Sequence, residues 1–306
     1  MAASKRTPVT PVKRTTTRTV KTATQAKRRP AKNKKKVLTP VSILKYSVYM
    51  LLLCFAVTGL YRFRHGFMAY LGFNKINNKP VTVFTKEERK IADLRIYEIV
   101  SRHKDRIFGF DVSHYQGEIN WDSIERSKGD FPLDFVFIRA TAGNNGADSQ
   151  FKRNWKNAKR TGFIRGAYHY YRPDENSVKQ ADNFITHVAL RKGDLPPVLD
   201  IEKIPNGQSM DSLKSGLKRW LDKVEEHYGV KPIIYSGESF YTDFLKTEFK
   251  GYKLWIANYS FFNDDIRKEW DFWQFTDKAA ILGIEGKVDA NIYNGSKKDL
   301  KGCCIQ

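Results

Sequence analysis

The stretch "PPVLDIE", Pro196–Glu202, has the pattern of a buried β-strand that ends in two carboxylic acids. Side chains alternate between the two faces of a strand, so Asp200 and Glu202 point the same way. Two buried acids aimed at one place repel each other, and one of them keeps its proton to a higher pH than usual. Such a pair suits general acid catalysis, although a lone D-x-E is more often an ordinary surface strand end.

Over residues 107–297, short β-like runs of this kind alternate with helical runs. The eight predicted strands are "IFGFDVS" (107–113), "FVFIRAT" (135–141), "IRGAYHYY" (164–171), "PPVLDIE" (196–202), "PIIYS" (232–236), "KLWIANYS" (253–260), "DFWQFT" (271–276) and "KVDANIY" (287–293). The predicted helices cover 151–161, 177–190, 210–228 and 239–247. Strands that alternate with helices predict a parallel sheet, here an irregular TIM-like β/α barrel whose last strands have little helix between them.

Active sites of such barrels lie at the C-terminal ends of the strands. Asp111 falls late in the first predicted strand, and Asp289 falls near the start of the eighth. Aromatic residues in the other strands add a candidate sugar-stacking surface, namely Tyr168, Tyr170, Tyr235, Trp255 and Trp273. Carboxylates ringed by flat aromatic side chains indicate a sugar-cleaving groove, whereas each aromatic residue taken singly is more often part of a core. No H-E-x-x-H spacing supports a metal site, and nothing in the sequence calls for a cofactor.

The motif "FGFDVSHYQGEINW" (108–121) resembles the opening of the family 25 glycoside hydrolases, the N-acetylmuramidase type of lysozyme. The resemblance continues in family order through "FIRATAG", "DSQFKRNWKNAKRTGFIRGAYHYYRP", "PVLDIE", "LWIANY" and "WDFWQFTDKAAILGIEGKVDANIYNG", and it covers about 107–295. The collective match is specific, although each fragment alone is weak.

This resemblance implies an irregular β/α barrel that hydrolyses the β-1,4 bond between N-acetylmuramic acid and N-acetylglucosamine in peptidoglycan. It implies that Glu202 is the general acid and that Asp200 assists attack by the substrate's own acetamido group, with retention of configuration. Asp111 and Asp289 match two further family acids. Asn258 stands where many relatives have a basic residue, which puts subsite preference in doubt. The alternative is a catalytically inactive module that binds glycan.

The first 36 residues hold 13 Lys and Arg and no acid, and their composition predicts a disordered tail over residues 1–40. Residues 41–63 are largely apolar and follow that basic run, which favours a single membrane anchor with a cytoplasmic N-terminus and a catalytic domain on the envelope side. A cleaved signal peptide and a buried helix are the alternatives. The basic run at 27–36 is interpreted first as a solvated topology signal beside the anchor; binding to anionic lipid is the alternative, and nucleic acid is a less favoured partner.

Residues 64–106 predict a stalk with a helix, because Thr85 and Glu88 form a capping-box pattern before a rough apolar stripe. Residues 298–306 are predicted to be a C-terminal tail. Its last four residues, "CCIQ", formally fit prenylation at Cys303, but this match is interpreted as coincidental because that end is expected across the membrane.

Overall fold

The structure, a computed structural model, describes residues 45–54, 57, 86–124, 133–260 and 262–306, with only the backbone described for 86–90. The chain divides into two units, Met1–Ala56 and Val57–Gln306. In the first unit, residues 45–54 are helical and their side chains are exposed. The predicted disordered tail lies outside the described residues, as do the first part of the predicted stalk and more than half of the predicted anchor. Within the part of the chain that is described, no helix combines the length and the apolar character needed to cross a bilayer.

The second unit alternates strands and helices in the order that the sequence predicts. Its strands are β1 (Ile107–Val112), β2 (Leu133–Ala142), β3 (Gly146–Ala147), β4 (Ile164–Tyr170), β5 (Val198–Asp200), β6 (Ile233–Gly237), β7 (Lys253–Ala257), β8 (Phe272–Ala279) and β9 (Val288–Tyr293). Its helices are α1 (Lys86–Arg102), α2 (Phe151–Arg160), α3 (Ser177–His187), α4 (Met210–Tyr228), α5 (Glu238–Phe240, continued as a π-helical turn Tyr241–Leu245) and α6 (Lys297–Cys303).

Eight strands close into a barrel in the order β1-β2-β4-β5-β6-β7-β8-β9, and β9 pairs back onto β1. The short strand β3 only extends the edge of β2. All eight predicted strands are present, and the predicted irregularity lies where expected, because the described residues between β7 and β8 and between β8 and β9 contain no helix. The barrel departs from the TIM arrangement in one strand, since β9 runs antiparallel to both of its neighbours.

Two apolar clusters lie on the two faces of the barrel wall. Aromatic rings fill the barrel interior near the N-terminal ends of the parallel strands, among them Phe135, Phe137 and Phe272. Gly109 and Gly166 make room for those rings, because a Cβ at either position would lie 2.5 Å from the ring of Phe135 or Phe137. The second cluster fills the space between the strands and the surrounding helices. The interior is therefore packed rather than open at this level, and a cleft can form only towards the ends of the strands.

Helix α1 packs against the barrel, although the sequence predicts a stalk for this region. Ile99 and Val100 are buried in the outer core, whereas Ile91 and Leu94 from the same predicted apolar stripe are exposed. His103, just after the helix, meets the Trp273 ring edge-on at 6.1 Å between centroids. The end of the predicted stalk is thus part of the folded unit.

The predicted C-terminal tail is also wrong in part, because residues 297–303 form helix α6. The helix begins with a capping box in which Ser296 and Asp299 each bond the other's backbone N–H. Leu300 is fully buried at the end of the barrel opposite the strand-end acids, and the Tyr293 hydroxyl lies 3.3 Å from Cys303 Sγ. Ile305 exchanges backbone hydrogen bonds with the loop at Gly193 and Asp194. This segment closes the lower end of the barrel.

Candidate active site

A cleft of about 1040 Å³ opens at the end of the barrel where the parallel strands finish. Asp111, Asp200, Glu202 and Asp289 all line it, so the structure brings the four sequence-predicted acids together. Asp289 reaches this end from the start of its strand because β9 is antiparallel, and it is the direct cross-strand partner of Asp111. A parallel β9 would have placed Asp289 at the opposite end of the barrel.

The carboxyl groups of Asp200 and Glu202 are close enough for each to shift the pKa of the other. Asp200 is buried, and its Oδ1 atom has no hydrogen-bond partner among the described residues. Burial, followed by the neighbouring charge of Glu202, raises the pKa of Asp200 well above its usual range. Glu202 is open to the cleft on one side, and the protein around its other sides raises its pKa through loss of water. The pair therefore holds a proton at pH values where an exposed carboxylic acid has lost it.

Asp111 and Asp289 form a second carboxyl pair beside the first one. Gln274 and Asn291 donate hydrogen bonds of 2.7 and 2.8 Å to Oδ2 of Asp111. Burial raises the pKa of Asp111 to about 7, and these two donors oppose that rise. Burial, followed by the charge of Asp111, raises the pKa of Asp289 to about 9. The acids thus form one electrostatic unit in which Asp289 keeps its proton at neutral pH and Asp111 keeps part of its own.

Four of the five predicted aromatic residues line the cleft. Tyr168 and Tyr170 lie on β4, and Tyr235 on β6 donates a 2.8 Å hydrogen bond from its hydroxyl to Gln274 Oε1. Trp255 also reaches the cleft, but it is only 1% exposed, stacks on Phe137 at 4.2 Å and donates to Asn291 Oδ1. It supports the floor of the cleft and has almost no free face for a sugar.

Two predicted residues lie outside the cleft. Trp273 is fully buried in the outer core, since the register pairs it with Ile256 and not with Trp255, and it therefore faces away from the barrel interior. Asn258 Nδ2 donates to Glu238, and its Oδ1 accepts a 2.7 Å bond from the backbone of Ser260. The Asn258 side chain thus holds the loop after β7 and does not line the cleft.

The sequence reasoning missed several residues that do line the cleft. Tyr115 is 79% exposed and Tyr259 is 44% exposed, so these rings offer the free faces that Trp255 and Trp273 lack. Arg139 Nε binds the buried carboxylate of Asp148 at 3.0 Å, and this carboxylate also accepts a 2.9 Å bond from the backbone N–H of His114. Gln274 also lines the cleft, and the alternation of side chains along its strand could have identified it. Tyr115 could have been identified because it lies in the loop that follows the strand of Asp111.

The carboxyl pairs predict that the free energy of unfolding falls as the pH rises. Asp111 binds its proton more tightly in the folded chain, with a pKa of about 7 against 3.8, so its neutral form stabilises the fold below pH 4. That contribution is lost as the pH rises through about 7. In Asp111→Asn, whose amide oxygen still accepts from Gln274 and Asn291, urea unfolding at pH 4 to 8 should show a shallower decline. If the free energy of unfolding of Asp111→Asn falls with pH as steeply as that of the wild type, Asp111 is not the group that keeps its proton in the folded chain.

Comparison with known proteins agrees with this geometry. The sequence model of "Glycosyl hydrolases family 25" matches residues 110–284. Protein YegX of Escherichia coli K12 is 39% identical over 198 residues, which are 64% of this chain and 72% of that one, and Lysozyme M1 of Streptomyces globisporus is 34% identical over 61% and 68%. A family 25 glycosyl hydrolase from Bacillus anthracis superposes with a TM-score of 0.59 at 30% identity, covering 66% of this chain and 95% of its own. The chain belongs to glycoside hydrolase family 25 and is a glycoside hydrolase.

Proposed function

We propose that the protein is a muramidase that hydrolyses the β-1,4 bond between N-acetylmuramic acid and N-acetylglucosamine in peptidoglycan. The observation that carries the proposal is that Asp200 and Glu202, two residues apart at the end of β5, both line an open cleft of about 1040 Å³. The names of similar proteins point the same way, among them lysozymes from Streptomyces globisporus and Clostridium acetobutylicum.

In this proposal Glu202 donates the proton to the leaving glycosidic oxygen, because it is the more exposed member of the pair. Asp200 also lines the cleft but lies deeper, and its carboxyl group would accept the N–H of the sugar's 2-acetamido group. That contact would orient the acetamido oxygen towards the anomeric carbon and stabilise the positive charge that develops on the ring it forms.

The spacing of the carboxyls argues against the two ordinary carboxylate mechanisms for this pair. Inverting enzymes separate their acids by roughly 6.5–9.5 Å and ordinary retaining enzymes by roughly 5–5.5 Å, on opposite sides of the scissile bond. Asp200 and Glu202 leave the chain two residues apart at the end of one strand and act on each other's pKa, so they do not face each other across a sugar. The substrate's acetamido group is then the nucleophile, and a water molecule activated by Glu202 opens the resulting ring.

The test is mass analysis of the fragments that the full chain releases from purified peptidoglycan. New reducing ends on muramic acid are expected, and reducing ends on glucosamine would contradict the bond assignment. The alternative, an inactive module that only holds glycan, predicts co-sedimentation with peptidoglycan and no soluble fragments. The four acids gathered in the cleft favour the enzyme.

We also propose that residues 41–63 anchor the enzyme to the membrane, with the basic tail on the cytoplasmic side near anionic lipid. The support is the apolar run beside the basic residues. Fractionation of cells expressing the full chain should recover it with membranes, and a variant without residues 1–63 should leave them. Equal recovery of both forms in the soluble fraction would refute the anchor.

A further inference from the structure

One end of the cleft carries positive charge directly beside the proton donor. Lys203 follows Glu202 in the chain, and both Lys203 and Arg172 line the cleft. Neither residue belongs to the four acids or to the aromatic set that the proposed reaction uses. The charge of Lys203 interacts with the charges of both Glu202 and Arg172, which places Lys203 near each of them.

Arg172 is held in place by its surroundings. Its guanidinium donates to Glu175 Oε1 at 3.1 Å, and the other oxygen of Glu175 accepts a 2.6 Å bond from the backbone of Asn144. The backbone N–H and C=O of Arg172 both bond the side chain of Gln180, which is fully buried. A fully buried His169 bonds the same Gln180 at 3.1 Å from behind. The backbone of Arg172 is therefore held by buried groups, and its half-exposed guanidinium is oriented by the ion pair with Glu175.

Lys203 differs from Arg172 in that its described contacts are with a neutral residue. The Lys203 ammonium lies 5.6 Å from the centre of the Tyr170 ring. Its interaction with the Tyr170 hydroxyl is the main reason that the pKa of Lys203 is raised, and the charge of Arg172 opposes the rise. Two cations that line the same cleft and act on each other favour the binding of an anion there.

We propose that Lys203 and Arg172 bind a carboxylate of the substrate and thereby select muramic acid for the sugar site beside Glu202. The proposal rests on the muramidase function above. N-Acetylglucosamine carries no carboxylate, whereas muramic acid carries a lactyl group that ends either in a free carboxylate or in a peptide with carboxylates of its own. The cationic end of the cleft would set the direction in which the strand lies across the acids.

The test compares KM on three glycan substrates for the full chain. The first bears stem peptides, the second is stripped of peptide by an amidase and has free lactyl carboxylates, and the third is the stripped strand after methyl esterification. The measured quantity is the ratio of KM on the esterified strand to KM on each acidic strand. The variants are Lys203→Gln, Lys203→Arg, which keeps the charge, and Lys268→Gln, an exposed lysine outside the cleft.

The wild-type ratio should be about five-fold at low salt, and it should fall towards one in Lys203→Gln and at high salt. Lys203→Arg and Lys268→Gln should keep it. If KM on the stripped strand is lower than KM on the esterified strand, the lactyl carboxylate is the ligand. If only the peptide-bearing strand has a lower KM than the esterified strand, the ligand is a carboxylate of the stem peptide. A wild-type ratio of one, or the same ratio in Lys203→Gln, would overturn the inference. Cleavage of all three strands would still uphold the muramidase.

Discussion

Glu202→Gln is expected to lower kcat on peptidoglycan by at least about 10³-fold while leaving the fold intact. The glutamine amide has nearly the same shape, but it cannot donate a proton to the leaving oxygen. Removing one acid from a crowded carboxyl cluster also removes repulsion with Asp200, so the melting temperature should be equal to or above that of the wild type. Initial rates of soluble fragment release, together with thermal unfolding, measure both effects.

The matched control for this variant is Glu226→Gln on the exposed side of α4, which makes the same chemical change away from the cleft. It should keep wild-type activity. If Glu202→Gln retains more than a tenth of the wild-type rate, Glu202 is not the proton donor. An aryl glycoside whose leaving group needs no protonation should be cleaved by Glu202→Gln at a much smaller loss, and equal loss on both substrates would also count against the assignment.

Asp200→Asn is expected to lower kcat by about 10²-fold to 10³-fold, on the aryl glycoside as well as on peptidoglycan. Its carboxylate is assigned to the acetamido group and not to the leaving oxygen, so a better leaving group should not rescue the loss. Asp200 lines the cleft, and an amide at this position can present its N–H to the acetamido group in the wrong sense.

Asp105→Asn, an exposed aspartate on the barrel surface, serves as the control for Asp200→Asn and should be fully active. Rescue of Asp200→Asn by the activated aryl substrate would mean that Asp200 acts in protonation, in exchange with Glu202. Comparison of the two variants on the two substrates therefore separates the roles within the pair, which a single rate on peptidoglycan cannot do.

Much of the barrel could be predicted from the sequence because strand patterns and strand-end acids are local signals. Each predicted strand is present, and Asp111 and Asp200 lie at strand ends as expected. The direction of β9 could not be predicted in this way, since antiparallel pairing is a property of two strands. Its consequence is that Asp289 belongs in the cleft although it begins its strand.

The aromatic predictions were less accurate because they required knowledge of which face of the strand each ring occupies. Trp255 and Trp273 look alike in sequence, but the register between β7 and β8 turns one into the barrel and the other out. Alternation within β8 assigns Gln274, not Trp273, to the interior. The capping pair Ser296 and Asp299 indicates the start of helix α6 in the sequence, but the segment that follows is short and polar and was therefore interpreted as a tail.

The central claim, that the acetamido group attacks with help from the Asp200–Glu202 pair, is tested most directly by the anomer of the first product. Proton NMR of a soluble peptidoglycan fragment, recorded in the first minutes of cleavage by the full chain, distinguishes the two configurations before mutarotation mixes them. The account predicts the β-anomer, because two successive displacements at the anomeric carbon retain its configuration. An α-anomer as the first product would mean that water attacks directly, and it would contradict the account.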